Sequence, residues 1–144
     1  MPALLEITSR VMIQADPEQV WQLAVDWSRH HEWMWATHAR GGQSAGSEVV
    51  ARTAIGPIGF TDTMVITGWE PPRRCVVRHT GRVVRGGGVF EVVQHGEQCE
   101  FRWTERLELP RIFADAVGRA VIRPVVGWGL QASLRRFARL VSMP

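Results

Sequence analysis

The sequence has no lysine, no tyrosine and only two cysteines, Cys75 and Cys99, in 144 residues. Two cysteines make no disulfide framework, and no second pair exists to build a zinc site. Without tyrosine, the usual amphipathic residue at sites for polar aromatic molecules is missing. No apolar run approaches the ~18 residues of a membrane span. The opening stretch MPALLEITSR lacks the charge and the apolar run of a signal peptide, so a cytoplasmic protein is expected. There is no internal repeat, low-complexity tract or long linker, which leaves a single domain over residues 1–144 as the expectation.

What is present is an ordinary globular balance, 45% apolar and 22% charged, together with seven tryptophans whose surface must be buried or face a ligand. Leu4 to Ile13 alternates loosely and reads as a strand. Asp16 is placed to cap a helix, Pro17 suits its first position and Gln19 completes a capping-box spacing. Val20, Leu23, Ala24 and Trp27 then follow at the period of one buried helical face. A second short helix or turn is expected over His30 to Trp35. From Thr37 to Leu109, turn signals at Gly41-Gly42, Gly56-Pro57, Pro71-Pro72, Gly81 and Gly96 separate six strand-like runs. Pro110 ends the last of them. Arg111 to Val141 has helical period, with Phe113, Ala116, Val117, Ala120, Val121, Val125, Trp128, Leu134, Phe137 and Val141 on its apolar stripe and a kink expected at Pro124.

Alternation along the strands assigns faces. Cys99, Phe101, Trp103, Glu105, Leu107 and Leu109 share one face, opposite a water-facing row from Gln98 to Glu108. Phe60, Asp62, Met64 and Ile66 point to the same interior, as do Cys75, Val77 and His79. Three ionisable groups, Asp62, His79 and Glu105, thus fall on an otherwise apolar face. A buried carboxylate needs a partner. Either these groups pair with one another structurally or sit at strand ends, or they line a cavity and fix the polar part of a bound molecule. Trp69 takes the outward parity. Gly86-Gly87-Gly88 reads as a bulge or sharp bend of the sheet rather than a phosphate cradle.

Asp16-Pro17-Glu18-Gln19-Val20-Trp21, then Asp26 and Trp33, resemble the opening of the START/pollen-allergen-like helix-grip superfamily. Trp69-Glu70-Pro71-Pro72-Arg73-Arg74 resembles its mid-sheet turn, and Ser133-Leu134-Arg135-Arg136-Phe137 the end of its long helix. The bacterial polyketide cyclase/dehydrase-like branch is the nearest match. The resemblance implies an α+β helix-grip fold, with a seven-stranded antiparallel sheet wrapped around a long C-terminal helix and two short helices after the first strand. It also implies a hydrophobic cavity. In cyclase members Arg and Tyr often orient a poly-β-keto chain, whereas here Tyr is absent and most strand arginines fall on outward faces.

The expected function is therefore binding of a hydrophobic small molecule such as a lipid, polyketide or aromatic metabolite. Its apolar contacts would come from Trp33, Trp35, Met64, Val77, Phe101, Trp103, Val117, Val121 and Trp128, and its polar ones from Asp62, His79 and Glu105. One alternative is a polyketide cyclase or dehydratase with His79 or Glu105 as general acid/base. Another is a peripheral membrane or interaction module, because residues 111–141 carry six Arg and one Asp and could attract an anionic surface. No cofactor is called for. His30, His31 and His38 lack metal-ligand spacing, and no nucleic-acid motif occurs. Cys75 and Cys99 read as inert buried thiols.

Overall fold

The computed structural model describes residues 3–109, 111 and 115–142. Its elements are β1 (Ala3–Ile13), α1 (Pro17–Ala24), a 3-10 helix (Trp27–Glu32), β2 (Thr37–Gly41), β3 (Glu48–Ile55), β4 (Ile58–Glu70), β5 (Arg74–His79), β6 (Gly86–His95), β7 (Gln98–Leu109) and α2 (Ala116–Ser142). The strands form one antiparallel sheet in the order β1-β7-β6-β5-β4-β3-β2. From β2 onward the sheet is a meander, and β1 closes it by pairing with β7 along its whole length. This is the expected α+β arrangement of seven strands and a long C-terminal helix. Pro110 and Phe113 lie outside the described residues.

Helix α1 begins where its cap predicts, with Pro17 in the first turn and Gln19 Oε1 accepting the Asp16 amide at 3.2 Å. The 3-10 helix starts at Trp27, three residues before the expected turn, because Trp27 is buried and its indole N–H donates to the Gly42 carbonyl at 2.7 Å. The main core lies under these elements. There Val20, Trp21, Leu23, Ala24 and Trp33 meet Phe101 of β7 and Leu134 and Phe137 of α2. A second cluster joins Leu5, Ile7 and Leu109 to Leu130, with Ile122 and Val126 packed against it.

The first half of α2 buries a different face from the one expected. Val117, Val121, Val125 and Trp128 are exposed, Trp128 at 75%. Ile122, Val126 and Leu130 instead meet the β1 edge, where Arg123 also donates to the Glu6 carbonyl and Gln131 to that of Arg10. Apolar residues at helical spacing occur on both faces here, so the period alone does not choose; contact with β1 does. The helix runs through Pro124 as one element.

Two features of the sheet also depart from expectation. Strand β4 pairs with β5 as Ile66↔Val77 and then Gly68↔Val76, so Thr67 is an extra residue. One inserted residue reverses the alternation. Trp69 therefore faces inward opposite Cys75 and packs edge-on against Trp21, ring centroids 5.1 Å apart. Gly86–Gly88, by contrast, pairs with both β5 and β7 without a shift. These glycines serve close approach: Gly86 holds φ 116° against the Arg106 carbonyl, and Gly88 faces the Glu105 carboxylate. On the outer row of β7, Glu100 is buried rather than solvated, held by the Arg102 guanidinium at 2.6 Å and by His95 at 3.3 Å.

Candidate functional site

A cavity of about 240 Å³ lies on the concave side of the sheet, lined by residues of β2 to β7 and by Trp27 and His30 of the 3-10 helix. Its walls are aromatic and aliphatic: Trp27, Phe60, Phe90 and Trp103 with Met64 and Val77. Phe60 lines the cavity yet is 37% exposed, which marks the mouth. The polar groups are few. Thr37 and Thr53 bond to each other at 2.9 Å across the β2–β3 pair, and Asp62, His79 and Glu105 form the remaining cluster.

Sheet register brings that cluster together. Met64 pairs with His79, which puts Asp62 one inward position along β4 from the imidazole. Gly88 pairs with Glu105 on β7, and the missing side chain at Gly88 leaves room for the carboxylate. His79 Nδ1 lies 2.8 Å from Asp62 Oδ1 and Nε2 lies 3.0 Å from Glu105 Oε2. The Trp103 indole N–H donates to the other Glu105 oxygen at 2.9 Å. A neutral imidazole has one N–H, and would turn its second nitrogen's lone pair against a carboxylate oxygen; only the imidazolium donates to both. Burial opposes that charge, but the hydrogen bonds and charges of Asp62 and Glu105 outweigh it and push His79 up to about 10. The site at neutral pH is a buried imidazolium bracketed by two acids.

His30 is the opposite case. It is buried among Trp27 and Trp33, donates from Nε2 to the Ala24 carbonyl at 2.9 Å, and burial lowers it to about 4, so it lines the cavity as a neutral ring. Cys75 also lines the cavity, where burial pushes its thiol up to about 12; Cys99 is buried and donates to the Ala15 carbonyl. Neither is an activated nucleophile.

Six of the expected ligand-contacting residues line the cavity: Asp62, Met64, Val77, His79, Trp103 and Glu105. The other six do not. Trp33 and Phe101 are fully buried in the core, with Trp33 ringed by His30, Phe90, Phe101, Trp103 and Phe137 at centroid distances of 4.9–6.0 Å. Trp35 is 58% exposed beside Ala36, whose φ of 53° turns the chain into β2. Val117, Val121 and Trp128 are exposed because α2 turns its other face to β1. Thr37, Thr53 and His30 line the cavity without having been expected there. The first two alternate inward on their strands, a signal that strand parity carries. His30 has no such signal, since its place follows from where the 3-10 helix docks.

The family described as "Polyketide cyclase / dehydrase and lipid transport" matches residues 5–142. No curated protein sequence matches the chain. Among solved structures, TTHA0849 from Thermus thermophilus superposes with a TM-score of 0.77 at 16% identity, covering 95% of this chain and 97% of that one. The Zhui aromatase/cyclase from Streptomyces sp. R1128 gives 0.76 at 14% identity, over 96% and 93% of the two chains. The di-domain aromatase/cyclase StfQ of the steffimycin biosynthetic pathway gives 0.79 at 9% identity over 96% of this chain, which spans 51% of StfQ. At these identities the likeness is one of fold. Among the described residues, no helix is long and apolar enough to cross a membrane.

Proposed function

The chain belongs to the polyketide cyclase/dehydrase and lipid transport family, and from that membership we propose that its cavity binds a compact hydrophobic molecule with a polar group at one end. The observation that carries this is an apolar cavity of aliphatic and aromatic side chains with one ionisable cluster, Asp62, His79 and Glu105, on its wall. Ligand sites have that composition in general: apolar walls supply affinity and a few placed polar groups supply orientation. At about 240 Å³ the space falls below the roughly 300–1,000 Å³ of sites for drug-sized molecules. A ligand of one or two rings, or one end of a longer chain leaving past Phe60, is the size that fits.

The same geometry supports binding over turnover through His79. Both its ring nitrogens are committed to carboxylates, so it has no nitrogen left for a ligand and acts as a positioning residue. A cyclase or dehydratase would have to pass protons through Asp62 or Glu105 instead. The two unpaired thiols support a reducing compartment such as the cytoplasm.

The test is mass spectrometry of an organic extract of freshly purified protein against a mock purification, followed by calorimetry with the compound found. A stoichiometric hydrophobic compound, bound about tenfold or more weakly by Trp103→Ala, is the expected result if Trp103 is one of the few aromatic anchors that carry most of the binding energy. An empty extract together with no binding of small two-ring aromatics would overturn the reading. Conversion of the compound by the protein, lost in Glu105→Gln, would establish the enzyme instead.

A further inference from the structure

The cavity holds two acids and at most one compensating base. Asp62 and Glu105 share the single imidazolium of His79, and among the described residues none of the chain's 17 arginines lines the cavity. The remaining ring, His30, is neutral. One negative charge is therefore left over inside an apolar enclosure, where an unpaired carboxylate is costly and a cation is correspondingly welcome.

The two acids are not equivalent. Glu105 has both oxygens engaged: one accepts from His79 Nε2 and the other from the Trp103 indole N–H. Asp62 uses only Oδ1, toward His79, and among the described residues its second oxygen has no hydrogen-bond partner while its side chain lines the cavity at 15% exposure. The free acceptor and the surplus charge thus coincide on Asp62. Around it the cavity offers Trp27, Phe60, Phe90 and Trp103, whose ring faces attract cations as well as apolar groups.

Resting on the reading that this cavity binds a small hydrophobic molecule, we propose that it selects one carrying a protonated amine, with the ammonium donating to the free oxygen of Asp62 and the apolar or aromatic body against the cavity's rings. A keto or hydroxyl compound of the same shape fits the walls but leaves the surplus charge unmet, and a carboxylate adds to it.

Three probes of one shape separate these cases: 1-naphthylmethylamine, 1-naphthylmethanol and 1-naphthoate, titrated into the wild-type chain by calorimetry at neutral pH. The amine is expected to bind about tenfold or more tightly than the alcohol, because both can donate to the carboxylate but only the ammonium also neutralises its charge, and the carboxylate most weakly. Asp62→Asn, which keeps an acceptor for His79, is expected to erase the preference for the amine over the alcohol. Alcohol binding equal to the amine, or a preference for the carboxylate, overturns the inference and leaves the hydrophobic-ligand reading standing. An amine preference that survives in Asp62→Asn overturns the role of Asp62. Failure of every probe to bind overturns the inference, and together with an empty extract removes the hydrophobic-ligand reading as well.

Discussion

Gly88 lies directly across the β6–β7 ladder from Glu105, so close that a methyl group placed on it would sit 3.0 Å from the Glu105 Oε1 oxygen. That carboxylate cannot simply step aside, because Trp103 holds one oxygen and His79 the other. Gly88→Ala is accordingly expected to destabilise the chain by about 1–3 kcal/mol, the range for overpacking a fixed site. Urea denaturation measures the loss, and the His79 ring resonances should report a lowered pKa in the same variant. Unchanged stability and an unchanged titration would show that Glu105 has room to move.

The His79 cluster makes stability depend on pH on the alkaline side. Its folded pKa of about 10 lies above the ordinary value of 6.5, so the native state binds more protons than the unfolded state between those values. The stabilisation is fully present below pH 6.5 and falls by up to about 1.4 kcal/mol per pH unit as pH rises toward 10. Urea midpoints measured across this window should decline, and His79→Gln should flatten the decline. Constant wild-type stability from neutral pH to the upper end would contradict the shared imidazolium.

On the acid side the sign reverses at His30. Its folded pKa of about 4 lies below 6.5, so its contribution is present above pH 6.5 and is lost as pH falls toward 4. Glu100 acts at more acid pH: burial works against its charge, but Arg102 prevails and holds it below the usual carboxylate range. A stability loss that begins well above pH 4.5 is the mark of His30. His30→Gln, which keeps a donor for the Ala24 carbonyl, should remove that upper part of the acid limb and leave the lower part.

The two faces of α2 give a contrast in packing. Phe137 is fully buried against Phe101 and Trp33, and Phe137→Ala is expected to cost about 3–5 kcal/mol. Trp128→Ala removes a larger side chain from an exposed position and is expected to change stability by no more than about 0.5 kcal/mol. Thermal or urea unfolding of both variants tests the assignment of faces. A large loss at Trp128 would mean that this face is covered.

Much of this was readable from residue order. Pro17 and the Asp16–Gln19 pair located α1, the glycine and proline turns separated the strands, and alternation put Asp62, His79 and Glu105 on one face. What alternation does not carry is distance. That the three side chains meet within hydrogen-bond reach depends on how β4, β5 and β7 register against one another, and register is set by the whole sheet. Trp69 was misplaced by the extra residue at Thr67, which no local pattern announces. Val117, Val121 and Trp128 were misplaced because the first half of α2 is apolar on two sides, so its burial is decided by what β1 offers rather than by its own period.

The extra residue at Thr67 divides a single strand between two constituencies. Before it, Phe60, Asp62 and Met64 answer to whatever occupies the cavity; after it, Trp69 answers to Trp21 and the packing of α1. A lineage that changed its ligand could rewrite Phe60 and Asp62 and keep Trp69 against Trp21; Cys75, which lines the cavity and pairs with Trp69, is where the two stretches meet. A regular alternation carried through Thr67, with no extra residue, would instead turn Gly68 and Glu70 toward the interior in place of Trp69 and tie the diversity of the binding wall to the integrity of the core.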